Sequence, residues 1–275
     1  VSRYPRRRWT TRERGGRAPN WVWAAVMAVA VVVAIGAVVL VQFVFKGETV
    51  DERLCPKTSG SAAGLAVLLD LTDSLNPVQH NRLRGLLDSR IDDARQGTLI
   101  AVGAVRVDAA ERGAVFARCK PATGKEASEI YQNPRMIEER YREEFLEPFE
   151  AIVSAMLDSS AAERSPIMES LQALLVSAPG FVDASYPRRV IIVSDLIQNS
   201  EAFSFYRGDT WRRFVRSQDA ERLAGRLRGV EVEICRVPRP GAGVDKAAVD
   251  DFWVNYFDRA GASRVRTTTC LLGDL

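Results

Sequence analysis

Histidine is almost missing from this chain: of 275 residues only His80 is one. The four cysteines never stand in a Cys-x-x-Cys pair. Together these scarcities argue against a zinc site, which needs four N or S ligands at characteristic spacings. They also leave no His-Glu-x-x-His helix, and no Gly-x-Ser-x-Gly elbow occurs either. Glycine is absent from the turn after the first apolar strand, Asp70-Leu-Thr-Asp-Ser74. A dinucleotide-binding turn or a phosphate-cradling P-loop needs glycine there, so both are argued against. His80 lacks a paired nucleophile in its surroundings and reads as a surface residue rather than a catalytic one. No internal repeat is present.

Charge is unevenly spread. The formal net charge of +3 hides seven arginines in the first twenty residues (Arg3, Arg6, Arg7, Arg8, Arg12, Arg14 and Arg17) against Glu13 alone. The remainder is slightly acidic, so the basic balance does not point to nucleic acid. The basic head instead precedes a membrane span. Trp21 to Val41 is unbroken apolar sequence, extended to Phe45 with Gln42 as the interruption. At about 1.5 Å per residue such a helix crosses a hydrocarbon core of about 30 Å. Trp21 and Trp23 suit one interface, and Phe43 and Phe45 with Lys46 the other. Arginines ahead of the span predict a cytoplasmic N-terminus and export of the residues beyond Lys46. The alternative, a cleaved signal peptide, lacks its Ala-x-Ala site. Arg7-Arg8 lies too far from the apolar run for a twin-arginine signal.

The expected organisation is a basic cytoplasmic tail (1–20), a transmembrane helix (21–45), a polar linker (46–61) and one exported domain (62–275). Within the domain, Gly64 to Leu69 is an apolar run of buried-strand length ending on Asp70, Thr72 and Ser74. Side chains alternate along an extended chain, so the three point to one side. A carboxylate beside two hydroxyls is hard-oxygen chemistry, suited to Mg²⁺. Asn76-Pro77 opens a helix with Leu83, Leu86, Leu87 and Ile91 at helical spacing. Thr98–Val107 and Ala114–Cys119 read as strands joined too closely for a crossover, hence antiparallel. Pro134–Leu157 reads as one long helix that Pro148 kinks or breaks. Ser165 is expected to cap a helix over 167–175, with Pro166 in its first turn. Arg189 to Asp195 is a second buried strand ending in Asp. A basic helix around 218–228, a strand over 230–237, a helix over 246–260 and a strand over 263–272 complete the chain. The pattern predicts a Rossmann-like, doubly wound α/β sheet, mostly parallel with one antiparallel strand, covered by helices on both faces.

Asp70-x-Thr72-x-Ser74 after strand one, the Ser165-Pro-Ile helix start, and Asp195 after a later strand resemble the von Willebrand factor type A (VWA) domain and its metal-ion-dependent adhesion site. The resemblance spans about residues 62–275. It implies a site of Asp70, Thr72, Ser74, Ser165 and Asp195 holding Mg²⁺ (or Mn²⁺ or Ca²⁺), with a partner protein's carboxylate completing the coordination. The chain departs from the family at Leu196, where a glycine is usual, at Asp73, an extra acid, and at Ser165, which stands for Thr.

Four cysteines in an oxidising compartment suggest two disulfides, for which three pairings exist. The strand arrangement favours Cys55–Cys119 and Cys235–Cys270. Phe203, Phe205, Tyr206 and Trp211, crowded into a polar loop, either cover the core or contact a partner. The expected function is a non-enzymatic, single-pass inner-membrane module binding a protein in the periplasm or outside the cell. A structural envelope subunit with a vestigial metal site is the alternative. A metal-dependent phosphohydrolase is the third reading; a haloacid-dehalogenase-like version would need an Asp where Thr72 stands.

Overall fold

The computed structural model describes residues 20–44, 49–72, 75–127, 133–158, 162–239 and 241–268. The chain divides into two compact units, 1–48 and 49–275. In the first, helix α1 (Asn20–Val44) contains a stretch, Trp21–Val39, with mean hydropathy 2.8 and none of it buried in protein. It is long and apolar enough to cross a membrane.

The second unit is built on a six-stranded sheet in the order β3-β2-β1-β4-β5-β6, formed by β1 (Ala63–Leu69), β2 (Thr98–Ala104), β3 (Phe116–Cys119), β4 (Arg188–Ser194), β5 (Val230–Arg236) and β6 (Arg264–Thr268). All pairs are parallel except β2 with β3, where Leu99 faces Cys119 and Val102 faces Phe116. This is the doubly wound sheet with one antiparallel strand that the sequence predicts.

Alternation along the strands sends Ala66, Leu68, Val190 and Ile192 to one face and Leu65, Val67, Leu69, Ile191 and Val193 to the other. The first face is covered by α5 (Ile167–Ser177) through Leu171, Leu174 and Leu175, and by α8 (Lys246–Ala260) through Phe252, Trp253, Tyr256 and Phe257. The second is covered by α2 (Pro77–Asp92) through Leu83, Leu87 and Ile91, and by the helical stretch 134–157 through Phe145, Phe149 and Val153. Cover stops short of β6, whose five residues are all exposed. There Glu231 and Glu233 of β5 register with Arg264 and Arg266, and charge of this kind blunts an open sheet edge.

Pro148 shapes the 134–157 stretch without breaking it. α3 (Pro134–Tyr141) passes into a π-helical turn, Arg142–Leu146, and then α4 (Glu147–Leu157). Proline lacks the N–H that would bond the carbonyl four residues back and its ring crowds that carbonyl, so the turn widens. The carbonyl concerned, that of Glu144, accepts from the Arg118 guanidinium of β3 instead. The basic helix expected at 218–228 is shorter, α6 (Trp211–Phe214) preceding α7 (Asp219–Leu223). Arg226 in left-handed conformation (φ 67°) ends helical geometry before β5.

Residues 49–62 belong to the second unit. The Cys119 N–H donates to the Arg53 carbonyl at 2.8 Å, and a Cys55–Cys119 disulfide fixes the segment to β3. Cys235 is also disulfide-bonded, while Cys270, its expected partner, lies outside the described residues. Tyr256 ties α8 to α7: its hydroxyl donates to the Leu223 carbonyl at 2.6 Å, and burial pushes its pKa up.

One backbone approach leaves no room for a side chain. A Cβ at Gly103 would stand 2.4 Å from the Gly113 carbonyl oxygen and 3.2 Å from Leu174 Cδ1. Gly103→Ala is expected to destabilise the unit by about 3 kcal/mol through forced displacement of the β2–β3 connection. A urea-unfolding midpoint matching wild type would show that the connection yields freely.

Candidate functional site

The sheet reverses its winding between β1 and β4. From β1 the chain crosses to β2 over the α2 face, whereas from β4 it runs outward to β5 and β6 over the α5–α8 face. In open α/β sheets ligands bind outside the carboxyl ends of strands at such a reversal. Asp70 follows β1 there, Ser194 ends β4 and Asp195 follows it.

Alternation places Asp70 and Ser194 on the α5 side, towards the segment that enters α5. The Asp70 carboxylate is 8 % exposed and accepts four hydrogen bonds. Its Oδ1 takes Thr72 Oγ1 at 2.7 Å and the Thr72 N–H at 3.3 Å. Its Oδ2 takes Ser165 Oγ at 2.9 Å and Ser194 Oγ at 2.7 Å. Three separate chain segments thus converge on one carboxylate. Ser165 does not cap α5 as expected: the helix begins after Pro166 without a side-chain cap, and the Ser165 hydroxyl goes to Asp70. The segment is held instead by reciprocal backbone bonds between Ser165 and Asn199.

Asp195 makes different contacts. Its side chain is 9 % exposed, Oδ1 accepts the Ile197 N–H at 2.7 Å, and Oδ2 lies 3.4 Å from Arg239 Nη1. Leu196 adopts φ 67°. A branched residue there is strained, and the surroundings hold it. Its N–H donates to Ser194 Oγ at 2.8 Å and its carbonyl accepts Trp253 Nε1 at 2.7 Å. Ser74 lies outside the described residues, as does Asp73.

The structure therefore brings together Asp70, Thr72 and Ser165, with Asp195 next in chain to Ser194. Sequence reasoning missed Ser194 and Arg239. Ser194 could have been found: it is the hydroxyl that ends the apolar run Val-Ile-Ile-Val, at the parity of Val190 and Ile192. Arg239, in a proline- and glycine-rich loop, gives no such signal.

The four aromatics of the 203–211 loop divide. Phe203, 1 % exposed, stacks on Phe252 with centroids 4.2 Å apart, and Phe205 and Trp211 pack edge-on against the same ring. Phe203 is thus part of the core, Phe205 and Trp211 pack against it while partly exposed, and Tyr206 is 49 % exposed.

The side-chain groups gathered on Asp70 are all oxygens, the set a hard cation takes, and in chemistry they fit Mg²⁺. Among the described residues no group of three or more His, Cys, Asp or Glu gathers, so a cation here would depend on the hydroxyls. A polar cleft of about 420 Å³ beside Ser165 is lined by Arg112, Arg164, Glu169, Asn199 and Asp219 among others. A wider one, about 520 Å³, lies at the opposite pole, where β1, β2, β4 and β5 begin. The winding reversal and the shared carboxylate place the candidate site at the first pole.

The architecture is a doubly wound α/β sheet, parallel but for one antiparallel edge pair. No family model matches the sequence, and no curated protein matches it. Solved structures that match include an aerotolerance-related membrane protein from Bacteroides fragilis (10 % identity, 76 % of this chain and 93 % of that one, TM-score 0.36). The SpRpn10 VWA domain matches at 11 % identity over 75 % of this chain and 88 % of that one, with TM-score 0.39. The conserved hypothetical protein BatB from Bacteroides thetaiotaomicron matches at 12 % identity, over 75 % and 90 %, with TM-score 0.35.

Proposed function

We propose that this chain is a membrane-anchored, non-catalytic type A module whose loops at the carboxyl ends of β1 and β4 engage a protein partner on the exported, periplasmic side. The observation that carries the reading is the Asp70 carboxylate, held by Thr72, Ser165 and Ser194 at the winding reversal. In this reading Asp70, Thr72, Ser165 and Asp195, with Ser74, take a divalent cation, Mg²⁺ or else Mn²⁺ or Ca²⁺. The cation would supply an electrophile to which a partner's Asp or Glu binds. The hydroxyls share the Asp70 charge, and the Leu196 contacts fix where Asp195 stands.

One observation favours a second reading, a structural subunit whose cluster merely locks three loops together: both Asp70 oxygens already have hydrogen-bond donors. Co-purification of the full chain from membranes in Mg²⁺ or in chelator separates the two. Partner capture is expected in Mg²⁺, with loss of at least about tenfold in chelator or in Asp70→Asn. Capture indifferent to both would favour the structural subunit, and turnover of a generic phosphoester would reopen catalysis.

A further inference from the structure

We infer that Arg239 is a built-in competitor for the divalent cation, so that its release from Asp195 sets the affinity of the site. The inference rests on the reading that Asp195 helps to hold that cation. Asp195 itself has little freedom. Its Oδ1 is engaged by the Ile197 N–H, and the strained Leu196 beside it is pinned from both sides by Ser194 and Trp253. The remaining oxygen, Oδ2, faces the Arg239 guanidinium at 3.4 Å. A guanidinium at that distance neutralises the charge a metal ion would use, and its own positive charge opposes a second cation nearby.

Arg239 is the more exposed of the two, its side chain 38 % exposed against 9 % for Asp195. It stands between β5 and α8 in a segment without regular structure that carries Pro238, Gly241 and Gly243, both glycines at positive φ. Two cations thus compete for one fixed carboxylate, one tethered and one free. Any partner group that draws Arg239 away, an acidic side chain above all, would raise cation affinity by the same factor by which the cation raises the partner's.

The test is calorimetric titration of Mg²⁺ and Mn²⁺ into the full chain in detergent, comparing wild type, Arg239→Gln, Arg239→Lys and the double variant Asp70→Asn/Arg239→Gln. Arg239→Gln is expected to bind Mg²⁺ about tenfold more tightly than wild type, a shift of about 1.4 kcal/mol. Arg239→Lys should remain near wild type because the charge is kept, and the double variant should lose the gain. Equal or weaker binding by Arg239→Gln overturns the competition while leaving the cation reading in place. No heat from any of these proteins at millimolar cation removes the cation reading and the competition with it.

Discussion

Asp70→Ala is expected to unfold far more easily than wild type, because it removes the common acceptor of three buried hydroxyl side chains. The carboxylate is 8 % exposed and takes bonds from Thr72, Ser165 and Ser194. A hydrogen bond to a charged acceptor contributes about 1.5–3 kcal/mol, and a buried donor left unmatched costs a similar amount. The contributions do not add fully, since the hydroxyls can turn to other acceptors, so we expect a loss on the order of 4 kcal/mol. For a chain of this size that lowers the melting temperature by ~8–16 °C. From the sequence, the loop reads as solvent-facing, which would make the alanine variant a clean probe of binding; the burial of Asp70 removes that convenience. Asp70→Asn keeps Oδ1 for Thr72 and presents an amide to two rotatable hydroxyls, so it should cost much less and serves as the binding probe. Thermal unfolding of both variants is the check. An alanine variant melting within a degree or two of wild type would mean that the cluster does not hold the loops together.

Removing the Cys55–Cys119 bridge should weaken the unit by a similar amount through a different cause. The two cysteines are 64 residues apart, and the loop so closed contains β1, α2 and β2. Restricting a loop of that length in the unfolded chain stabilises the folded state by about 4 kcal/mol on the chain-entropy estimate. The measurement is urea unfolding of Cys55→Ser/Cys119→Ser beside wild type, both without reductant so that the Cys235 bridge is retained. The variant's midpoint should fall clearly, with a slope no smaller than wild type. Identical midpoints would show that the hydrogen bonds of residues 49–62 suffice to hold that segment.

Much of this architecture is legible because it derives from local chemistry. Apolar runs bounded by turn residues gave β1, β2 and β4, and the short connection after β2 forced the antiparallel edge. That edge then placed Cys119 where Cys55 could reach it. Asp70, Thr72 and Ser165 were visible because hydroxyls and a carboxylate at strand and helix ends stand out against apolar sequence. The features that escaped depend on long-range packing. Ser194 looks like one more residue in a strand until its parity with Val190 and Ile192 is set against that of Asp70. Ser165 has an N-cap's sequence context, yet a buried carboxylate offers its hydroxyl a stronger partner than the helix N-terminus. Phe203, Phe205 and Trp211 sit in a polar segment and still turn inward, because Phe252 of α8 presents a ring for them to pack on. Arg239 is informative only once Asp195 is seen opposite.

The sulfur bridge at Cys55 also determines how the domain would bear a mechanical load. A pull on the chain from the side of Thr49 reaches Cys55 and passes through the covalent link to Cys119, at the end of β3. Residues 56–118 lie off that route, so β1 and β2, with Asp70 between them in the chain, carry no tension in series. The loaded path instead enters at Cys119, the last residue of β3, and runs on from there. Tension would therefore leave the strand that presents Asp70 slack, and reduction of one bond would reroute the force directly through β1.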